Sequence, residues 1–220
     1  MENIIQTVLI YALPVLFAIT VHEAAHGYAA RHFGDNTAYQ MGRITLNPLK
    51  HIDPVGTILM PLLLYFATSG AFLFGYAKPV PVNFGRLRNP KRDMVWVALA
   101  GPGANLAMAI GWTVLAYVLV ALGTEEQFFL EMAQAGMLVN LVMFAFNLFP
   151  LPPLDGGRIL VGLLPWKQAH MVSRIEPWGF FIVMGLVIAG VVGALWLRPL
   201  MGLGYAAINL LLTPLTALLR

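Results

Sequence analysis

Long apolar runs alternate with short polar connections along this chain, a pattern that predicts helices rather than strands. The runs cover 4–30, 93–122, 128–151, 178–197 and, less cleanly, 199–219. A helix crossing a bilayer needs roughly 20 apolar residues, so each run is a candidate span. Pro214 and the glycines at 202 and 204 weaken the last. A sixth apolar stretch, 54–74, has basic residues on both sides. One crossing would put those flanks on opposite faces, so the reading favours a re-entrant excursion broken at Pro61 or near Ser69-Gly70. The expected fold is an all-α integral membrane protein, one polytopic domain over 1–220. It has about five to six transmembrane helices and a small re-entrant or β-hairpin segment.

Composition agrees with that reading. The chain is 59% hydrophobic and 10% charged, with a mean hydropathy of +0.77. Soluble domains carry about 25% charged residues, so this chain could not clothe a water-facing surface. The net charge of +3 is too small to suggest nucleic acid as a partner. Eleven of the 13 Lys and Arg residues fall in 31–50, 78–92 and 158–174, whereas the connection at 123–127 carries Glu125 and Glu126. The positive-inside rule places the basic segments in the cytoplasm and the acidic connection outside. The first run then travels inward, 93–122 outward and 128–151 inward. The N-terminus lacks the basic flank and cleavage site of a signal peptide, so the first run is read as retained.

That first run contains His22-Glu23-Ala24-Ala25-His26. Histidines four apart share a helical face, and a glutamate beside that face can reach a water on a metal they hold. Three ionisable groups at membrane depth are costly without a task. There is no cysteine, so any metal must use His, Asp or Glu. A catalytic zinc site normally takes three protein ligands, and Asp155 is the best third candidate. It lies in the stretch from Asn147 through Pro150, Pro152 and Pro153 to Asp155-Gly156-Gly157, where irregular backbone is expected. In isolation Asp155 would read as a turn residue; the positive-inside topology brings it to the depth of the histidines. Asn147 could offer its amide to a substrate carbonyl or make an interhelical hydrogen bond.

His51 reads as a capping or interface residue ahead of an outer partner of the metal, His32 as an interfacial residue just past the first helix, and His170 as part of the basic cytoplasmic segment. The tryptophans at 166, 178 and 196 suit interface anchoring. Gly101, Gly103 and Ala104 read as permitting close helix packing. The segment from Lys78 to Asn83 could offer an extended edge to a peptide or be a proline-rich connection.

The His-Glu-x-x-His pair, a Gly101-Pro102-Gly103-Ala104-Asn105 turn and the Asn147…Pro150…Leu154-Asp155-Gly156-Gly157 stretch together resemble the site-2 protease family of intramembrane zinc metalloproteases. The resemblance runs from about Thr20 to Leu160. It implies one zinc per chain, with His22, His26 and Asp155 as ligands, Glu23 as general base and Asn147 near the catalytic centre. It also implies that Gly75-Tyr76-Ala77-Lys78 corresponds to a strand of a membrane-embedded sheet that pairs with an extended substrate. The expected partners are a transmembrane protein or peptide substrate and the lipid bilayer, with the oligomeric state left open. The expected location is the cell membrane, multi-pass, with the active site toward the cytoplasm. Two departures stand out. The connection between Leu122 and Phe128 is too short for the PDZ domain many relatives carry, and 54–74 is lacking in the simplest relatives. Competing readings are a metal-ion or solute transporter, which would need a matched second half, and a catalytically silent relative, which the intact Glu23 argues against.

Overall fold

The computed structural model describes residues 2–67 and 75–218. Nine α-helices are seen among them: α1 Glu2–His32, α2 Thr37–Gln40, α3 Met60–Ala67, α4 Pro90–Ala121, α5 Gln127–Asn147, α6 Asp155–Leu163, α7 Trp166–Ser173, α8 Glu176–Ile188 and α9 Arg198–Leu218. Four stretches are long and apolar enough to cross a membrane: Ile5–His32, Pro90–Ala121, Gln127–Asn147 and Gly193–Pro214. The pair α7 and α8, bent by 67°, makes a fifth if taken as one broken span. The protein is therefore an all-helical, multi-pass membrane protein.

α1, α4 and α5 form the centre. His26 meets Val97 while Ala18 meets Asn105, so α4 runs opposite to α1. Asn105 meets Asn140 and Gly136 lies on Trp112, so α5 runs opposite to α4. This is the alternation of direction that the basic segments imply. Small residues let the helices approach: a Cβ at Gly136 would overlap the Trp112 ring. Away from the histidines, Ala109, Leu141, Ile208 and Leu212 bring α9 onto α4 and α5.

Several sequence-based boundaries are corrected. Gly101–Asn105 is not a turn but the middle of α4; Pro102 is buried inside that helix. A proline is tolerated there because packed neighbours cover the backbone it interrupts. The 128–151 run stops being helical at Asn147. The 178–197 run is broken after Ile188, where Gly190 adopts φ +75°. Only glycine takes that conformation cheaply, and the chain then re-enters helix through a π-helical segment, Gly193–Leu197, that leads into α9. Trp196 is half-buried: its Nε1–H donates to Ala145 O at 2.8 Å and its ring packs edge-on against Phe149. Trp166 and Trp178 are exposed, as anchors would be. His32 is the last residue of α1 rather than beyond it.

The 54–74 excursion is described up to Ala67; the Ser69-Gly70 break considered from the sequence lies outside the described residues. A π-helical segment, Pro54–Leu59, leads into α3, and Pro61 sits in that helix's first turn without breaking it. Beyond Phe74 the chain returns to its starting point. Tyr76 N–H donates to Gly56 O at 2.9 Å, and Thr57 Oγ1 donates to Tyr76 O at 2.9 Å. The described ends of the excursion thus meet at Gly56, Thr57 and Tyr76.

Candidate metal centre

Three side chains from three parts of the chain meet beside α4. His22 and His26 project from one face of α1, with their rings edge to face and centroids 4.6 Å apart. Asp155 opens α6, just after the prolines that end the α5 connection. The Nε2 atoms lie 3.0 Å apart, and Asp155 Oδ2 is 3.3 Å from each. Ligands about 2.0–2.1 Å from a tetrahedral ion sit about 3.3 Å from one another. The observed triangle fits that spacing.

Hydrogen bonding makes the same point chemically. His26 Nδ1 is 2.7 Å from Val97 O, a carbonyl that can only accept, so Nδ1 carries the proton. His22 Nδ1 is likewise engaged, at 2.7 Å from Asn105 Oδ1. In the neutral rings both Nε2 atoms are then acceptors, and they face a buried Asp155 Oδ2 that receives no hydrogen bond. Three lone pairs aimed at one point repel unless a cation lies between them. The donor set is two imidazoles and a carboxylate, which suits zinc. No other grouping of three metal-ligating side chains with such spacing occurs among the described residues.

The backbone around the triangle explains its small residues. A Cβ on Gly101 would stand 2.6 Å from His22 Cε1 and overlap His26 as well. Gly156 and Gly157 rest directly on the turn at 148–152, where a Cβ would strike Leu148 O or Pro152 N. The Asp-Gly-Gly sequence thus lets α6 begin against that turn and aim Asp155 at the histidines.

The triangle borders a cavity of about 370 Å³ that also takes in Glu23 and Asn147. Glu23 Oε2 accepts a 2.6 Å hydrogen bond from Val80 N–H. Asn147 Nδ2 donates to Met143 O at 3.0 Å within its own helix. Pro79-Val80-Pro81-Val82 forms another part of the cavity wall. Gly75, Tyr76 and Lys78 are not brought to this cavity. Tyr76 is bonded to Gly56 and Thr57, while Lys78 N–H donates to His51 O at 2.9 Å and Arg43 donates to Lys78 O. No strand is seen among the described residues; 75–83 has no regular secondary structure. His51 is buried, with its Nε2 2.9 Å from Thr45 O, and stands after the short helical turn Pro48–Lys50, away from the triangle. A larger cavity of about 620 Å³, reached by Thr7, Tyr117 and Glu131, lies elsewhere and holds no such cluster.

Asp35, fully buried just past α1, holds the far end of the 79–83 wall. Its Oδ2 accepts Asn83 N–H at 2.6 Å, and its Oδ1 accepts from Thr37 N and Oγ1. Burial works to raise its pKa, but the bonds from Thr37 and Asn83 and the charge of Arg86 outweigh it and hold the carboxyl below its usual range. Asp35 and Asn105 are the residues whose parts the sequence did not disclose. A polar Asn105 at membrane depth, four residues from Gly101, was the available signal.

Fold and centre together define a membrane metalloprotease. Residues 123–190 match the profile of Peptidase family M50. The chain is 38% identical over 201 residues to "Putative zinc metalloprotease YwhC" of Bacillus subtilis (strain 168), covering 87% of this chain and 85% of that one. It is 31% identical over 181 residues to Rip2 of Mycolicibacterium smegmatis, covering 79% and 64%, and 32% identical over 199 residues to Rip3 of Mycobacterium tuberculosis, covering 84% and 42%. Both carry the same form of name. No solved structure matches the chain. The chain belongs to peptidase family M50, the site-2 proteases, and is a compact member of it.

Proposed function

We propose that this protein is an intramembrane zinc endopeptidase that hydrolyses peptide bonds within or near transmembrane segments of membrane-protein substrates, as in regulated intramembrane proteolysis. The carrying observation is the triangle of His22, His26 and Asp155 with Glu23 in the same cavity. One zinc per chain would be held by those three side chains. When bound, zinc supplies a water acidified to a pKa near about 7 and positive charge for the oxyanion.

The chain's own residues supply the rest. Glu23 accepts the proton lost by the attacking water and passes it to the leaving amine. Its Oε2 is engaged by Val80 N–H, so Oε1 does this work. Asn147 keeps one amide N–H on Met143 O, and its second can donate to the scissile carbonyl oxygen. A helical substrate hides its carbonyls in its own hydrogen bonds and must be drawn out before attack. The 79–82 wall suits that task by main-chain pairing. Val80 N–H is held by Glu23 and Pro79 and Pro81 have no N–H, so pairing falls to the Val82 N–H and the carbonyls of Val80 and Val82.

His26 lies six residues and His22 ten residues before the end of α1, which puts the centre about 9–15 Å below that end. With the basic segments inside, this depth supports a site toward the cytoplasmic side of a cell membrane. The test is Glu23→Gln in protein reconstituted with a single-span substrate. Cleavage should fall by about 10²–10⁴-fold while zinc content is unchanged. Cleavage at the unmodified rate would remove the proposed mechanism.

A further inference from the structure

Buried polar groups behind the triangle form a directed chain. Asn140 and Asn105 are both fully buried, on α5 and α4. Asn140 Nδ2 donates to Gly136 O at 2.9 Å. That carbonyl can only accept, so Asn140 must present its oxygen to its other neighbour. Asn105 Nδ2 donates to that oxygen at 2.9 Å and to Ala18 O, another obligate acceptor, at 3.2 Å. Both amide hydrogens of Asn105 are then spent, and its Oδ1 is left facing His22 Nδ1 at 2.7 Å. Two backbone carbonyls therefore set the direction of every bond in the series.

We infer that Asn140 and Asn105 are positioning residues that hold His22 with its proton on Nδ1 and its Nε2 lone pair toward the metal. This rests on the zinc reading above. His26 gets the same service directly from Val97 O, which no side-chain substitution can remove. His22 depends on an amide, and an amide can turn over. Without the Asn140 oxygen, one Asn105 hydrogen loses its acceptor and only the longer bond to Ala18 O, at 3.2 Å, still holds the amide; rotating it would give up that bond and turn the NH₂ to His22 Nδ1. His22 would then accept at Nδ1 and carry its proton on Nε2, which closes that nitrogen to a metal. The link is indirect: Asn140 touches neither ligand nor metal, yet sets the tautomer of His22 through Asn105.

Thr and Val at position 140 separate this role from packing, because they have nearly one shape. A Thr hydroxyl can donate to the carbonyl four residues back, as Thr113 does to Ala109 O at 2.8 Å, and still accept from Asn105. Val can do neither. Zinc affinity of the full chain in detergent is read by competition with a chromophoric chelator, alongside the melting temperature of the metal-free protein. Asn140→Val should weaken zinc binding by about 10–100-fold, and Asn140→Thr should restore it to within about threefold of the unmodified protein. Equal affinities in the two variants would overturn the relay, because packing alone would lower both melting temperatures and leave zinc binding alike. Should Asn140→Val not fold, the double variant Asn105→Leu with Asn140→Leu decides, since it strands no buried amide. It should still lose at least about tenfold in affinity, and unaltered affinity would sink the inference. Failure of the unmodified chain to bind zinc would instead refute the metal reading itself.

Discussion

Glu23 Oε2 and the main-chain N–H of Val80 stand 2.6 Å apart, joining the first helix to a segment 57 residues later in the chain. The contact fixes the rotamer of the proposed base and brings Pro79 to Val82 to the cavity that the His22, His26 and Asp155 triangle borders. A hydrogen bond to a charged group is worth about 1.5–3 kcal/mol. With Val80→Ala as the control for its buried side chain, Val80→Pro deletes that donor. Cleavage of a reconstituted substrate should drop by about 10–100-fold with zinc stoichiometry unaltered. Loss of zinc in this variant would mean that the segment supports the metal centre and not the base.

Gly101 and Gly103 give a paired prediction on α4. Gly101 faces both imidazoles, while a Cβ on Gly103 meets nothing within 4 Å. Helix α4 cannot back away, because Val97 O and Asn105 Oδ1 hold the same two rings. Gly101→Ala should cost about 1–3 kcal/mol in overpacking and weaken zinc binding. Gly103→Ala should leave zinc binding intact and raise stability by about 0.5–1 kcal/mol through helix propensity. Thermal melts and zinc titrations of the two single variants read this directly.

The spans and the triangle were legible in the sequence because both rest on strong signals. Apolar runs of sufficient length have one solution in a bilayer, and a carboxylate on irregular backbone at the depth of two paired histidines has few other uses. The Gly101–Asn105 stretch was misread as a turn because local preference for Gly and Pro says nothing of the neighbouring helices that cover a buried Pro102. The break at Gly190 was missed for a related reason: a single glycine in an apolar run is usually absorbed into helix, and only its left-handed conformation marks the end. Residue type alone marks Trp196 as an anchor and says nothing of the hydrogen bond its N–H makes to Ala145 O. The segment implied by the resemblance, Gly75 to Lys78, falls a few residues before the cavity wall, whereas the Lys78 to Asn83 segment read from the residues contains it. Which of 75–83 faces the site depends on hydrogen bonds to Gly56, His51 and Arg43, distant residues that no local pattern can announce.

Gly157 carries a prediction about how Asp155 is aimed. A side chain there would collide with the backbone of Leu151 and Pro152 and push α6 off the turn. The collision is with main chain, so no rotamer change relieves it. Gly157→Ala should shift Asp155 away from the histidines and lower zinc affinity by at least about tenfold, comparable with losing a supporting contact of the site. Because the α1–α4–α5 centre does not include α6, the helical content by circular dichroism should be retained.

Asp35 supplies the pH dependence. Its carboxylate is fully buried and accepts from Thr37 and from Asn83 N–H, tying the end of the 79–83 wall to the turn after α1. Its folded pKa lies below the usual value, whereas unfolding releases it to about 3.9. Folding therefore favours the ionised form, so its contribution is complete at pH values above about 5. It declines as pH drops through about 4 and vanishes below the folded pKa, where both states are protonated. Asp35→Asn removes this term and places an amide where two main-chain donors expect an acceptor. Near neutral pH the variant should be less stable by about 1.5–3 kcal/mol. The gap between the two proteins should narrow steadily on acidification below about pH 4. Melting temperatures of both, measured in one detergent from pH 7 to pH 3, test the slope. A gap that stays constant over that range would mean that the Asp35 charge does not hold the wall in place.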